Sequence, residues 1–251
     1  MTLSRREFVA TVGAAVSLPW LHACGESTAP PPAEPRLLSR PGTPTGTPVT
    51  GKTTIVAATS TAIVYAPADL PPDPRVLVFL HGANRTADFF VDAQAAAADT
   101  AGVIVVAPFA SGGGTWDAIH RRFSTDTQVI DAALAWIFER WNVDPARIVI
   151  SGFSDGASYS LAIGRANGDL FSRVVAYSPG LLISVVAVGR PPVLITHGTQ
   201  DDVLPIGATS RRFVPILRNA GYTVDYREFA GPHAVPANVL EEVVADLGTT
   251  A

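Results

Sequence analysis

The chain of 251 residues contains one cysteine, one methionine and one lysine, Lys52. A lone thiol, Cys24, cannot close an internal bridge, so no disulfide holds the fold. Charge is scarce as well: 16% of the residues are Asp, Glu, Lys or Arg, and the net charge is -4. Basic residues form no run longer than a pair, which excludes the electrostatic footprint of a nucleic-acid binder. The longest apolar stretch near the N-terminus, Phe8 to Leu21, falls short of the roughly 20 residues needed to span a membrane. What the chain does have is 47% hydrophobic residues, which excludes a disordered or collagen-like polypeptide and suffices to bury one substantial core.

The N-terminal region reads as an address followed by a spacer. Ser4-Arg5-Arg6-Glu7-Phe8-Val9 resembles the twin-arginine export motif, and Leu21-His22-Ala23-Cys24 resembles a bacterial lipobox in which His22 is an unusual occupant. The two resemblances imply a signal peptide over residues 1–23 and acyl chains on Cys24. The product is then an exported lipoprotein held at the cell envelope by that anchor alone. Between Gly25 and Thr50 lie Pro30, Pro31, Pro32, Pro35, Pro41, Pro44 and Pro48 among Ser, Thr and Gly. Such a composition buries little apolar surface, so residues 24–50 are expected to be an extended linker and residues 51–251 the folded domain.

From about residue 53 short apolar runs alternate with helical stretches. Buried strands are expected at Arg75–Leu80, Val103–Ala107, Arg147–Ser151, Arg173–Ser178, Pro192–His197 and Thr223–Phe229. Helices are expected at Asp88–Ala101, Asp126–Trp141, Ala157–Asn167, Thr209–Ala220 and Asn238–Leu247. Thr53 to Tyr65 alternates enough for one or two antiparallel edge strands. Crossovers of this length imply an α/β fold, a mostly parallel doubly wound sheet with helices on both faces. Only about a dozen residues separate Ser178 from Pro191, which leaves no room for a large lid. Ligands of such sheets bind beyond the carboxyl ends of the strands.

There the sequence places Gly152-Phe153-Ser154-Asp155-Gly156, between a buried strand and a helix. This is the G-x-S-x-G setting of a nucleophile elbow, in which Gly152 and Gly156 keep Cβ atoms out of a sharp turn that projects Ser154 into the cleft. A serine hydroxyl needs a base to become nucleophilic, usually an imidazole oriented by a carboxylate. In the order serine, acid, base, only His197 and His233 follow Ser154. His197 leaves no separate strand end for an acid ahead of it, so His233, on the loop before the last helix, is the base by elimination. His197 is read as a structural residue of the acid loop. The acid must follow the strand that ends at His197, and spacing does not choose between Asp201 and Asp202.

Residues 75–245 resemble an α/β-hydrolase of the phospholipase/carboxylesterase-like esterase group. Its H-G-x-x-D-x-x-V-P segment is similar to His197-Gly198-Thr199-Gln200-Asp201-Asp202-Val203-Leu204-Pro205, which implies Asp201 as the acid, with Leu204 standing where Val is usual. Leu80-His81-Gly82-Ala83-Asn84 resembles the group's H-G-x loop. The oxyanion hole implied is the backbone N–H of Ala83 together with that of Asp155. Asp155 is a departure, since a carboxylate beside a developing oxyanion must be turned away or neutralised, for instance by Arg85 or Arg121. Trp116 is a candidate acyl or aromatic wall, and Phe153 a core residue.

The expected chemistry is hydrolysis of a small-molecule or polymeric ester by Ser154, His233 and Asp201, without metal or organic cofactor. Narrower versions are a polyester depolymerase or an aryl-ester hydrolase. From a different class comes a catalytically silent binding lipoprotein that retains the fold.

Overall fold

The apolar runs become strands of one sheet in the computed structural model, which describes residues 35–84, 87–112, 114–120 and 122–248. The export motif, Cys24, Arg85 and Arg121 lie outside the described residues. In chain order the elements are β1 (Gly51–Ala57), β2 (Ser60–Ala66), β3 (Arg75–Leu80), α1 (Ala87–Ala101), β4 (Val103–Pro108) and α2 (Thr125–Phe138). They continue with β5 (Ile148–Phe153), α3 (Asp155–Ala166), β6 (Arg173–Tyr177), β7 (Val193–Gly198), α4 (Ser210–Asn219), β8 (Val224–Phe229) and α5 (Ala237–Gly248). A four-residue 3-10 helix, Asp117–His120, precedes α2 in a stretch read from the sequence as loop.

The sheet order is β1-β2-β4-β3-β5-β6-β7-β8, with β1, β2 and β4 joined antiparallel and all later neighbours parallel. Every position of β3, β4, β5 and β7 is buried, because helices cover both faces and leave no polar side to alternate with. Val76, Val78 and Leu80 point into the core shared with α2, α3 and α4, whereas Leu77 and Phe79 point into the core shared with α1 and α5. Each such side chain contributes about 1.5–3 kcal/mol relative to exposure, which fixes the register of the central strands. Helix α1 stops where expected: Gly102 adopts φ +63, and a Cβ there would meet the Pro71 ring at 2.9 Å. Helix α2 ends at Phe138, three residues earlier than its periodicity suggests, although Trp141 still reaches the same core.

Residues 35–50 carry no strand or helix, yet they are docked on the domain rather than free of it. Leu37 is 1% exposed, and its N–H donates to Asn167 Oδ1 at 2.8 Å. Asp131 accepts from the amides of Leu38 and Ser39, and Arg36 and Arg40 both pair with Asp169. Thr45 and Gly46 donate to the Glu139 carbonyl. Packing of the folded unit therefore begins upstream of Gly51. One leucine and a row of backbone amides do this, and neither leaves a periodic signal in a proline-rich composition.

Candidate active site

The site is assembled at the carboxyl ends of β3, β5, β7 and β8. Strand β5 ends at Phe153 and α3 starts at Asp155, so one residue makes the whole turn. That residue is Ser154, with φ +58 and ψ -117, a left-handed backbone that costs a non-glycine residue about 1–3 kcal/mol. The flanking glycines make the turn feasible. A Cβ on Gly152 would lie 2.3 Å from the Gly156 carbonyl oxygen, and one on Gly156 would lie 2.1 Å from the Leu80 carbonyl oxygen. Ser154 is half-buried at the N-terminus of α3, whose unpaired N–H groups favour negative charge.

Asp201 and His233, the acid and base expected from the sequence, meet because the loops after β7 and β8 are zipped together. Thr199 N donates to Phe229 O at 2.8 Å and Gln200 N to Gly231 O at 3.0 Å, over a crossing so close that a Cβ on Gly198 would stand 2.3 Å from Gly231 O. The result is a 2.6 Å hydrogen bond between His233 Nδ1 and Asp201 Oδ2. Asp202 is exposed, whereas Asp201 is buried and accepts from the amides of Val203 at 3.0 Å and Leu204 at 2.7 Å. Burial works against ionisation of Asp201, but the Leu204 N–H and the His233 ring outweigh it and hold the carboxyl below its ordinary range.

His197 completes the support of the acid. Its Nε2 lies 2.8 Å from the Leu204 carbonyl and 3.0 Å from Asp201 Oδ2, two acceptors, so this nitrogen carries the proton. Nδ1 then accepts from Ser210 Oγ at 2.7 Å. Burial pushes the His197 pKa below its ordinary 6.5, and the ring stays neutral.

The His233 ring packs 4.6 Å from the Phe153 ring, next to the serine. Among the described residues no hydrogen bond joins Ser154 Oγ to this imidazole. Catalytic contacts of that kind are often loose until substrate closes them.

Across the serine, the loop after β3 brings Gly82 so near that a Cβ there would lie 3.3 Å from Ser154 Cβ. Ala83 follows and is exposed. The loop is braced by His81, whose Nε2 accepts from Ala110 N at 3.1 Å while Nδ1 donates to Gly82 O at 2.8 Å. Trp116 corrects the expectation of an acyl or aromatic wall. It is fully buried, donates from Nε1 to the His81 carbonyl at 2.8 Å, and lies between the rings of His81 and Tyr159. Its indole is a strut under the loop, because a Trp in a core must find an acceptor for its N–H.

Asp155 is restrained in a way the sequence did not suggest: Thr115 Oγ1 donates to its Oδ2 at 2.5 Å. Neither Thr115 nor the bracing role of His81 carried a signal that spacing could reveal. Among the described residues no group of three or more His, Cys, Asp or Glu side chains could hold a metal ion, and no helix is long and apolar enough to cross a membrane.

Residues 115–250, more than half of the chain, match the sequence profile of the phospholipase/carboxylesterase family. The chain belongs to the phospholipase/carboxylesterase family. Ser154, Asp201 and His233 fall inside the stretch that matches this family, and the Ala83 loop lies upstream of it.

Among curated relatives, the bifunctional acetylxylan esterase/xylanase XynS20E of Neocallimastix patriciarum is 30% identical over 148 residues, covering 56% of this chain and 21% of that protein. The probable acetylxylan esterase A of Aspergillus flavus is 27% identical over 123 residues, covering 46% and 40%. The alignments thus span about a fifth to two fifths of these relatives' lengths. The solved acetyl xylan esterase from Aspergillus awamori superposes with a TM-score of 0.62 at 16% identity, covering 79% of this chain and all of that one. The phospholipase/carboxylesterase family member therefore has the α/β-hydrolase fold expected from its elements.

Proposed function

We propose that this protein hydrolyses carboxylic esters through an acyl-enzyme on Ser154, with His233 as general base and acid and Asp201 orienting the imidazole. The observation that carries this reading is the 2.6 Å bond from His233 Nδ1 to Asp201. It leaves Nε2 outside that bond, on a ring packed against Phe153, the residue that precedes Ser154. In the first half-reaction Ser154 Oγ attacks the ester carbonyl as its proton passes to His233, and the alcohol leaves with that proton. Water repeats the steps to release the acid. The amides of Ala83 and Asp155 receive the oxyanion, and the pairing of the Asp155 carboxylate with Thr115 is consistent with that role.

The names of the curated relatives support acetyl esters, carried by a polysaccharide, as the substrate class. Residues 179–192, after β6, contain no helix that could cap the cleft, which suits a bulky polymer. The leader over residues 1–23, the anchor at Cys24 and the export they imply rest on the sequence motifs.

Two measurements test the proposal. A fluorophosphonate probe should label the native protein and not Ser154→Ala, and the same variant should lose hydrolysis of p-nitrophenyl acetate while keeping its melting temperature. Undiminished hydrolysis by Ser154→Ala would overturn the mechanism. Absence of both labelling and hydrolysis in the native protein would favour the silent binding lipoprotein.

A further inference from the structure

Ser158, one turn along α3 from Ser154, is fully buried, and its hydroxyl is hydrogen-bonded to capacity. It donates to the Ser154 carbonyl at 3.2 Å and accepts from the amides of Gly180 and Leu181, each at 3.0 Å. Both amides belong to the segment after β6, from which no residue of the proposed chemistry comes. The shared hydroxyl keeps the Leu181 nitrogen within about 6 Å of the Ser154 carbonyl oxygen.

Two further contacts fix this segment. It leaves β6 through Ser178, buried with φ +50, a left-handed backbone that a non-glycine residue keeps only where its surroundings enforce it. Ser178 N donates to Thr196 O at 2.8 Å. Gly180 then lies so close to the acid loop that a Cβ there would meet Leu204 Cδ1 and Cδ2 at 3.1 Å. Leu181 follows, 43% exposed. A lone exposed leucine carries no meaning by itself, but this one is pinned beside the nucleophile.

His233 and this segment approach the serine from opposite faces of the sheet. The imidazole packs on Phe153, which with Val235 belongs to the core under α1 and α5, whereas Leu182 and Ile183 pack on the core under α2, α3 and α4. Three of the four substituents on the carbonyl carbon of a tetrahedral intermediate are already directed. One is the Ser154 oxygen, one is the oxyanion received by the amides of Ala83 and Asp155, and one is the alcohol oxygen, which must lie at the His233 ring to leave with a proton. The acyl group takes the direction that remains, away from the imidazole. We propose that Leu181 is the wall on this acyl side, that Ser158 positions it, and that its nearness restricts the acid half of the ester to acetyl. The inference rests on the esterase reading and adds to it the residue that sets acyl length.

Chain-length kinetics test it. For the native protein kcat/KM should fall about tenfold or more from p-nitrophenyl acetate to the butanoate, because added methylenes against a fixed wall are worth that much. Leu181→Ala should bring the acetate-to-butanoate ratio close to one. Ser158→Ala should move the ratio in the same direction, and the double variant should move it no further than Leu181→Ala alone, a dependence that general loosening of α3 would not produce. Methyl, butyl and benzyl acetates vary the alcohol half instead, and their relative kcat/KM values should be the same in the native protein and in Leu181→Ala. A native preference for butanoate, an unmoved acyl ratio in Leu181→Ala, or an alcohol series that shifts as much as the acyl series overturns the wall and leaves the esterase reading intact. An unmoved ratio in soluble Ser158→Ala overturns the positioning role. If that buried variant fails to fold, Leu181→Ala, at an exposed position, decides alone. Hydrolysis of no ester by the native protein overturns the esterase reading, and the wall falls with it.

Discussion

His197 and Asp201 form a fully buried pair, Nε2 to Oδ2 at 3.0 Å, on the same carboxylate oxygen that His233 engages at 2.6 Å. One oxygen thus meets two imidazoles, one fully buried and one partly exposed. His197 is a positioning residue: its proton is held by Leu204 O and Asp201, and its other nitrogen by Ser210, so it fixes the acid without access to the cleft.

The two neighbouring carboxylates should behave very differently. Asp201→Asn is expected to lower kcat on p-nitrophenyl acetate by about 10³–10⁴-fold, because the amide no longer selects the required His233 tautomer. Asp202→Asn, at an exposed position, should leave kcat within about twofold. Steady-state kinetics on the two purified variants decides the matter.

Stability should depend on pH through the buried imidazoles. Burial holds both His81 and His197 below their ordinary 6.5, so the unfolded chain binds these protons more readily than the native protein. Native stability is then fully present above the unfolded pKa and declines as pH falls below about 6.5. Melting temperatures measured from pH 7.5 to 5 should fall, and His197→Gln should flatten the slope while lowering the value at pH 7.5. An unchanged slope in that variant would remove His197 from the account.

The elbow admits no side chain at its glycines. Gly156→Ala would drive a methyl into the Leu80 carbonyl oxygen at 2.1 Å, between backbone segments that cannot yield as a side chain could. A loss of at least about 3 kcal/mol is expected, read by urea unfolding, or failure to accumulate as soluble protein.

Trp116→Phe keeps an aromatic ring, though a smaller one, and deletes the donor to the His81 carbonyl. The unpaired buried acceptor should cost about 1–3 kcal/mol. Because that carbonyl belongs to the loop carrying Ala83, kcat should fall while KM for a small acetate changes little. The kinetic split distinguishes a loop strut from mere core packing.

Sheet and helices were legible because buried parallel strands are written as contiguous apolar runs, and their helices as amphipathic stretches ending in glycine. Arg75–Leu80 is bounded in the structure as in the sequence. The one-residue turn at Ser154 and the place of His233 on the loop after β8 were legible from local context and chain order. Asp201 was not separable from Asp202 by spacing, since what distinguishes them is a turn that buries one and exposes the other. Trp116 and Thr115 were illegible for a related reason: each acts through a partner distant in sequence, and no pattern within a single segment encodes that pairing. The docking of residues 35–50 was hidden by its reliance on backbone amides.

That docking also fixes where the N-terminal segment joins the folded unit. Leu37 and Arg36 are clasped by Asn167 and Asp169, just past the end of α3, and α3 begins at the nucleophile and runs 12 residues away from it. The chain therefore enters the domain at the far end of α3, about 18 Å of helix from Ser154. Whatever lies upstream of residue 35 is thus joined to the domain at the end of α3 remote from the serine turn.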